Sequence, residues 1–220
     1  MLEVNSIYLY RNRKQVFKDF SLNLKNSEII LLEGENGVGK TSLLNMVSGL
    51  INPDKGFIKI GRKSIIELGN QKKKKITYIP DKNCLKENLS VNENLKIWLK
   101  LSNLKVDNNS YQKALNAFSL NNIQETLVKS LSHGQKKKVA LTKLLFSKSK
   151  LWLLDEPLNG IDTKTITILK KIMSRHIREN GSILFSSHVQ LNLKLTKRIF
   201  LKKITNKFNF NLLDQWENFK

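Results

Sequence analysis

The sequence predicts an α/β protein in which a parallel core sheet carries an antiparallel β subdomain and an inserted α-helical subdomain. A glycine-rich loop from Gly34 to Thr41 follows an apolar run and precedes a helical segment. The run Leu151 to Leu154 is apolar at every position, which is typical of a strand buried on both faces of a parallel sheet. Residues 85–150 instead show helical periodicity without a strong strand pattern. We therefore expect residues 1–220 to form one domain, with a helical subdomain at about 85–150.

Short alternating segments on both sides of the glycine-rich loop predict the antiparallel β subdomain. Residues 2–9 and 20–24 alternate apolar and polar side chains, and a basic turn at 11–14 separates them. A turn at 52–56, which contains a proline and a glycine, precedes a further short strand at 57–60. Because these strands alternate, one face of the sheet should be in solvent. Their positions before and after the glycine-rich loop indicate an antiparallel edge sheet beside the parallel core.

The remaining segments are expected to supply the core sheet and its helices. A lysine run at 72–75 is interpreted as a solvated loop before a strand at 76–79, which Pro80 ends. The tail after residue 196 is basic and amphipathic and predicts no particular element. Helices are expected near 92–101, 111–118, 132–145 and 163–178, and a strand at 182–186.

The composition limits the possible functions. Lysine and arginine outnumber aspartate and glutamate by 39 to 18, and the net charge of +21 favours anionic partners such as nucleotides, lipid headgroups or nucleic acid. No apolar run approaches the roughly 20 residues that span a bilayer, and the N-terminus has no signal-peptide pattern. We therefore expect membrane association only through partners. Cys84 is the only cysteine, which excludes an internal disulfide, and we expect it to be partly buried.

The glycine-rich loop fits the pattern G-x-x-x-x-G-K-[ST], which binds polyphosphates. Its glycines permit positive φ angles and close backbone approach, and the helix that follows directs its positive end at the phosphates. In this pattern Lys40 reaches the β- and γ-phosphate oxygens, and the hydroxyl of Thr41 binds Mg²⁺. The nucleotide-binding residues expected in this segment are Gly34, Glu35, Asn36, Gly37, Val38, Gly39, Lys40, Thr41 and Ser42.

An acid pair, Asp155 and Glu156, ends the buried strand at 151–154. Ligands of open α/β sheets collect at the carboxyl ends of the strands, so Asp155 and the glycine-rich loop are expected to meet at one edge. Asp155 would then hold Mg²⁺ through water, and Glu156 would face the γ-phosphate as the base or the group that orients water. The alternative interpretation is an acid pair that only caps the strand before the turn at Pro157.

The segment Leu131 to Gln135 places Ser132 and Gly134 at the start of a predicted helix, where an anion can bind. Considered by itself, Ser132 is more simply a helix N-cap. The segment resembles the Leu-Ser-Gly-Gly-Gln signature of ABC (ATP-binding cassette) ATPases, with His133 in place of the first glycine. That family implies a P-loop NTPase fold of the ABC type, and contacts from Ser132, Gly134 and Gln135 to the ATP of a second copy.

The resemblance to ABC ATPases extends over essentially the whole chain. It implies that Asp162 lies in the loop at the dimer interface and that His188 contacts the γ-phosphate and the attacking water as a catalytic residue with Glu156. The base of ATP would stack on Tyr10 or Tyr8, or on the guanidinium of Arg11. The glutamine of the family that links the nucleotide to the membrane partner is replaced by Asp81, which follows the strand at 76–79.

Within the family, the sequence resembles the haem-exporter ATPases of cytochrome c maturation. The similarity rests on the acidic Glu33 before the loop, on Trp152 in the buried strand, on the basic run Lys136 to Lys138 and on the absence of glutamine at position 81. It implies an ATPase that powers haem export or release of a haem carrier. One alternative is an ABC ATPase for another substrate. Another is a soluble ABC ATPase that acts on ribosomes or nucleic acid, which the charge of +21 suggests.

The resemblance also implies the partners of the chain. Two copies would enclose two ATP molecules with Mg²⁺, and the homodimer would act on integral membrane subunits. The location implied is the cytoplasmic face of a bacterial inner membrane or the matrix face of an organelle, with no nucleic-acid partner. Soluble members that act on nucleic acid usually carry two cassettes or a long coiled coil, and this sequence shows neither pattern.

Overall fold

Two sheets form the framework of the protein. The computed structural model describes residues 1–12, 14–188 and 194–204, without the side chains of Asn70 and Lys73, and the statements below concern these residues. An antiparallel four-stranded sheet has the order β2-β1-β4-β5, and a parallel five-stranded sheet has the order β6-β7-β8-β3-β9. The strands are β1 (Leu2–Arg11), β2 (Lys14–Leu24), β3 (Ile29–Glu33), β4 (Lys55–Ile60), β5 (Lys63–Ser64), β6 (Ile76–Ile79), β7 (Leu151–Leu154), β8 (Ser182–Ser186) and β9 (Lys197–Phe200).

Helices cover both faces of the parallel sheet. Several begin at a side-chain cap that accepts a hydrogen bond from a backbone N–H of the first turn: Ser90 and Ser132 form capping boxes, and Asp107 and Asp162 cap with a carboxylate. Short 3₁₀ turns lie at 69–71, 121–123 and 128–130. The helices are α1 (Lys40–Ser48), α2 (Lys72–Lys75), α3 (Val91–Leu101), α4 (Asn108–Ala117), α5 (His133–Phe146) and α6 (Thr163–Arg178).

The parallel sheet separates two hydrophobic cores. Ile29 and Leu31 of β3 pack into the core that contains α3 to α6, whereas Ile30 and Leu32 pack into the core with α1 and the antiparallel sheet. Successive residues of a strand point to opposite faces, so a strand covered on both sides must be apolar throughout. All residues of β7 and β8 are buried, which confirms the predicted α/β class with a parallel core sheet.

The register of the parallel sheet brings its carboxyl ends together. Leu154 of β7 pairs with Phe185 of β8, and Leu32 of β3 pairs with Ser186. The residues that follow these strands therefore emerge at one edge. The loop after β3 is the glycine-rich loop, and the residue after β7 is Asp155.

Three local predictions are corrected by the structure. Strand β2 begins at Lys14 rather than at residue 20, because irregular pairing with β1 and the positive φ of Asp19, 50°, disturb the alternation. Residues 72–75 form the short helix α2 instead of a loop, and Lys72 Nζ donates to the carbonyl oxygen of Gly49 at 3.2 Å. Cys84 is exposed, because it lies in the irregular segment between β6 and α3, outside both cores.

The chain after residue 193 contributes an element that the sequence did not predict. Residues 197–200 form β9, which pairs in parallel with β3 at the edge of the core sheet. Arg198 Nη1 donates to Glu33 Oε1 at 2.9 Å across this pair. Strand β9 has exposed side chains at most positions, so its apolar pattern is too weak to reveal it.

Candidate active site

The loop between β3 and α1 has a backbone that glycine permits. Gly34 and Gly39 have φ angles of 139° and 112°, in the region that side chains with a Cβ rarely adopt. A Cβ on Gly34 would lie 2.5 Å from the carbonyl oxygen of Leu201, and one on Gly39 would lie 2.7 Å from Val16 Cγ1. The N-cap of α1 is Gly39, which supplies no side-chain acceptor, so the first N–H groups of this helix are available to an anion.

A cavity of about 1020 Å³ opens above this loop and the carboxyl ends of the parallel strands. All residues from Glu35 to Ser42 line it, together with the predicted site residues Arg11, Asp155, Glu156 and His188. Gly34 lies at the base of the loop, where its carbonyl oxygen accepts from Lys40. The structure therefore brings the phosphate loop and the acid pair to one cavity.

The ammonium group of Lys40 is held over the loop by backbone oxygens. Lys40 is only 7% exposed, and its Nζ donates to the carbonyl oxygens of Gly34 at 2.7 Å and of Glu35 at 3.2 Å. It also lies 3.2 Å from Nε2 of His188. The ammonium group can exchange these neutral acceptors for phosphate oxygens, because a hydrogen bond to a charged acceptor is stronger than one to a neutral acceptor.

Asp155 accepts a hydrogen bond on each carboxylate oxygen. Thr41 Oγ1 donates to Oδ2 at 2.7 Å, and Ser186 Oγ donates to Oδ1 at 2.7 Å. The side chain of Ser186 also accepts from the backbone N–H of Glu156 at 3.0 Å. Asp155 is 1% exposed, so these bonds compensate the cost of burying its charge and fix its orientation.

Glu156 turns into the cavity from the end of β7. Its φ of 44° is in the left-handed region, a conformation that costs on the order of 1–3 kcal/mol for a residue with a side chain. Its Oε2 accepts from the backbone N–H of His188 at 3.2 Å, and its Oε1 lies 3.4 Å from His188 Nε2. Oε1 is buried, and no described residue donates a hydrogen bond to it. This oxygen is thus available to accept a proton.

The donors and acceptors of the cavity fit a nucleoside triphosphate with a hard divalent cation. Backbone N–H groups and Lys40 match phosphate oxygens, and Thr41 with Asp155 offers the oxygen ligands that Mg²⁺ prefers. Among the described residues, no group of three or more His, Cys, Asp or Glu forms a metal site of its own. Mg²⁺ bound with a nucleotide needs few carboxylates, because it keeps waters and phosphate oxygens as ligands.

The predicted signature residues lie away from this cavity. Ser132 accepts from the backbone N–H of Gln135 at 3.2 Å, and Gln135 Oε1 accepts from the N–H of Ser132 at 2.9 Å, so the capping interpretation describes their contacts. Gly134 is close to the loop before α6, since a Cβ there would lie 2.6 Å from the carbonyl oxygen of Gly160. The described lining of the cavity includes neither the three signature residues Ser132, Gly134 and Gln135 nor Asp162.

Asp162 links α5 to the start of α6. Its carboxylate accepts from the N–H of Thr165 at 2.7 Å and pairs with Lys138 Nζ at 2.6 Å. The hydrogen bond from Lys138 holds the pKa of Asp162 well below its usual range. Asp162 is therefore an N-cap of α6 within its own chain.

The three candidates for stacking on the base differ in position. Arg11 lines the cavity, whereas Tyr8 and Tyr10 are not among its lining residues. The backbone N–H of Tyr10 donates to Asp54 Oδ2 at 2.6 Å, and its hydroxyl accepts from Gln15 Nε2 at 3.1 Å. Arg11 is thus the best placed of the three.

Sequence reasoning missed several residues of this region. Ser186 orients Asp155, and Lys203 lines the cavity; neither was singled out from the sequence. Asp81, which stands at the position of the family's glutamine, and Asn159, in the loop that leads to Asp162, line the cavity as well. Ser186 could have been found as a polar residue at the end of a buried strand, but its place beside Asp155 is evident only once the strand order is known. Lys203 follows β9, which the sequence did not predict.

A family model described as ABC transporter matches residues 17–159. The chain belongs to the ABC transporter family. This match confirms the predicted family, the predicted fold and the prediction of an ATPase that binds ATP.

Individual members of the ABC transporter family are similar over most of the chain. A protein of Reclinomonas americana, named cytochrome c biogenesis ATP-binding export protein CcmA, is 34% identical over 210 residues, which cover 94% of this chain and 93% of that protein. A solved structure of the ATP-binding subunit of an ABC transporter is 25% identical with a TM-score of 0.77, covering 86% of this chain and 80% of the other. A dimeric ATP-binding cassette, solved in a post-hydrolysis state with ADP and Pi, is 21% identical with a TM-score of 0.75, covering 86% and 88%. It shares the fold.

Within residues 1–12, 14–188 and 194–204, this ABC transporter family member has no helix that is long and apolar enough to cross a membrane.

Proposed function

We propose that this chain is the ATP-hydrolysing subunit of an ABC transporter that powers haem export, or release of a haem carrier, in cytochrome c biogenesis. The observation that carries the proposal is the cavity where the phosphate loop meets Asp155 and Glu156, in a chain 34% identical to a cytochrome c biogenesis ATP-binding export protein. As the unit of this function we propose one ABC ATPase domain over residues 1–220, with a helical subdomain at about 85–150.

In the proposed mechanism, the residues of this chain bind ATP and position the water that attacks it. The N–H groups of the loop and Lys40 bind the phosphates, and Arg11 stacks on the base. Thr41 and Asp155 would hold Mg²⁺, which supplies neutralisation of phosphate charge when bound. Glu156 Oε1 accepts the proton of the attacking water, and His188 keeps Glu156 oriented through its backbone N–H.

We further propose that the site is completed by a second copy. The described lining of the cavity does not include Ser132, Gly134 and Gln135 of the same chain. These residues lie at the start of α5, a helix of 14 residues whose positive end suits an anion. In a homodimer these residues of one copy, with Asp162 at the interface, would face the phosphates bound by the other. The cassette solved with ADP and Pi, which shares the fold, is dimeric, and this supports the proposal of a homodimer.

The membrane subunits are proposed as the second class of partner. The chain would bind them at the cytoplasmic face of a bacterial inner membrane or at the matrix face of an organelle, and it would bind no nucleic acid. Purification of the tagged chain in mild detergent tests this directly. We expect integral membrane subunits to copurify; copurification with RNA instead would favour the ribosome or nucleic-acid alternative that the charge of +21 suggests.

The assignment to cytochrome c biogenesis has its own test. Cells that lack this protein should lose covalent attachment of haem to c-type cytochromes, measured by haem staining of denaturing gels. The unaltered gene and a Lys113→Ala variant, altered at an exposed site of α4, should restore attachment, and Glu156→Gln should not. Normal haem attachment in cells without the protein would contradict this assignment while leaving its ATPase activity in place.

A further inference from the structure

Three consecutive lysines in the first turns of α5 each reach a different carboxylate. Successive helix residues are about 100° apart, so a run of three points in three directions. Two of the acids lie in the segment between β6 and α3, and the third lies before α6. The pairs are Lys136 with Glu87 at 3.1 Å, Lys137 with Asp81 at 3.6 Å, and Lys138 with Asp162 at 2.6 Å.

Lys137 differs from its neighbours because it is completely buried. Its side chain is 0% exposed, whereas that of Lys136 is 24% exposed. Its Nζ also donates to the backbone carbonyl oxygen of Asp81 at 3.2 Å. Burial lowers the pKa of Lys137, and the carboxylates of Asp81, Asp155 and Glu156 act in the opposite direction. A lysine is rarely buried without a partner, so these acids explain its position.

Asp81 connects this lysine to the ATP cavity. It lines the cavity, and it follows the end of β6 by two residues. The backbone N–H of Asp155 donates to the carbonyl oxygen of Ile79 at 2.9 Å, so the end of β6 is fixed to the strand that carries the acid pair. Asp81 therefore shares the cavity with the acid pair and also contacts Lys137 of α5.

We propose that Lys137 is a positioning residue of the ATP site, which acts by fixing Asp81 against the first turns of α5. The proposal rests on the ATPase function given above. Through this contact the segment after β6 and the start of α5, which carries Ser132 and Gly134, move together. A change at the cavity then reaches the surface that faces the second copy.

The test compares five variants by their kcat, their KM for ATP and their melting temperature. Lys137→Met removes the charge but keeps an unbranched side chain, and Asp81→Asn keeps the size of the side chain and its backbone acceptor. We expect each to lower kcat about tenfold, because small displacements of catalytic groups have large effects on rate. KM for ATP should change by less than about threefold, since the phosphate loop is untouched. The double variant should be no slower than either single one, because both remove the same contact.

Two further variants separate positioning from stability. Lys137→Arg should restore most of kcat, because it returns a cation to the same place. Lys136→Met removes the neighbouring exposed ion pair and is the matched control, for which we expect kcat within about twofold of the unaltered protein. A fall in melting temperature without a fall in kcat would show a purely structural role for Lys137.

The outcomes distinguish this inference from the function on which it rests. Two results would overturn the role of Lys137 and leave the ATPase function in place. One is a kcat of Lys137→Met equal to that of Lys136→Met, and the other is a double variant in which the losses of the two single variants multiply. If Lys137→Met does not fold, Asp81→Asn decides, and an unchanged kcat in that variant would overturn the proposal. Absence of ATP hydrolysis in the unaltered protein with its membrane subunits would contradict both.

Discussion

Thr41 and Asp155 are 114 residues apart in the sequence, and Thr41 Oγ1 donates a hydrogen bond of 2.7 Å to Asp155 Oδ2. This bond joins the first turn of α1 to the end of β7, so it links the phosphate loop to the acid pair. It also gives a buried carboxylate a donor on Oδ2, beside the one that Ser186 gives to Oδ1. Two oxygen groups suited to Mg²⁺ are therefore in direct contact.

Substitution of Thr41 by alanine should weaken both the fold and the site. It leaves Asp155 with an unsatisfied buried oxygen, which costs about 1–3 kcal/mol of the free energy of unfolding. Urea denaturation measures that loss, and ATP titration with and without Mg²⁺ should show that the benefit of Mg²⁺ is reduced. Thr167→Ala, an exposed threonine of α6, is the control and should change neither. Equal stability and equal Mg²⁺ dependence of the two variants would argue against this role of Thr41.

Lys40→Ala should lose most of its affinity for ATP. A charge-assisted hydrogen bond contributes about 1.5–3 kcal/mol, which corresponds to a roughly 10- to 150-fold increase in Kd. The fold should remain intact, because the described hydrogen-bond partners of Lys40 Nζ are two backbone oxygens and His188. Equilibrium binding of ATP under conditions without turnover measures the change, with Lys113→Ala as the control. An unaltered Kd would refute the interpretation of the glycine-rich loop as a phosphate site.

His176 should make the stability of the protein depend on pH. Its ring stacks on Trp152 with the centroids 3.7 Å apart, and burial lowers its pKa from 6.5 to about 4. The unfolded chain binds a proton below pH 6.5 and the folded chain only near pH 4. The contribution of His176 to the free energy of unfolding is therefore fully present above pH 6.5. It is lost as the pH falls from 6.5 to about 4, which lowers the free energy of unfolding by on the order of 2–3 kcal/mol.

The His176→Phe variant tests this dependence. Phenylalanine keeps an aromatic ring against Trp152 but binds no proton. We expect its free energy of unfolding to fall less than that of the unaltered protein between pH 7 and pH 4.5. Parallel pH profiles for the two proteins would show that another group is responsible.

The sequence was sufficient for the features that local pattern determines. Leu151 to Leu154 and Ile29 to Leu32 are apolar throughout because both faces of their strands are covered, and such runs identify the core sheet directly. The glycine-rich loop is recognisable because its backbone conformation leaves no room for a Cβ at positions 34 and 39, so both must be glycine. The convergence of this loop with Asp155 followed from the rule for carboxyl ends of parallel strands.

Other features depend on contacts between distant residues, which local pattern does not contain. A run of lysines is normally solvated, yet Lys137 is buried because Asp81, 56 residues earlier, lies beside it. Likewise β9 is an exposed edge strand that only its pairing with β3 identifies. The roles of Ser132, Gly134, Gln135 and Asp162 toward a second copy stay predictions, since their contacts within one chain are those of helix caps.

The central claim is that Glu156 activates water at a site formed by the phosphate loop and Asp155. The most direct measurement is the ATP turnover of Glu156→Gln beside its ATP affinity, because the substitution removes the acceptor of the proton and keeps the shape of the side chain. A positioned general base contributes about 10²–10⁴ in rate, so we predict that kcat falls by that factor while ATP still binds. Turnover equal to that of the unaltered protein would contradict the account.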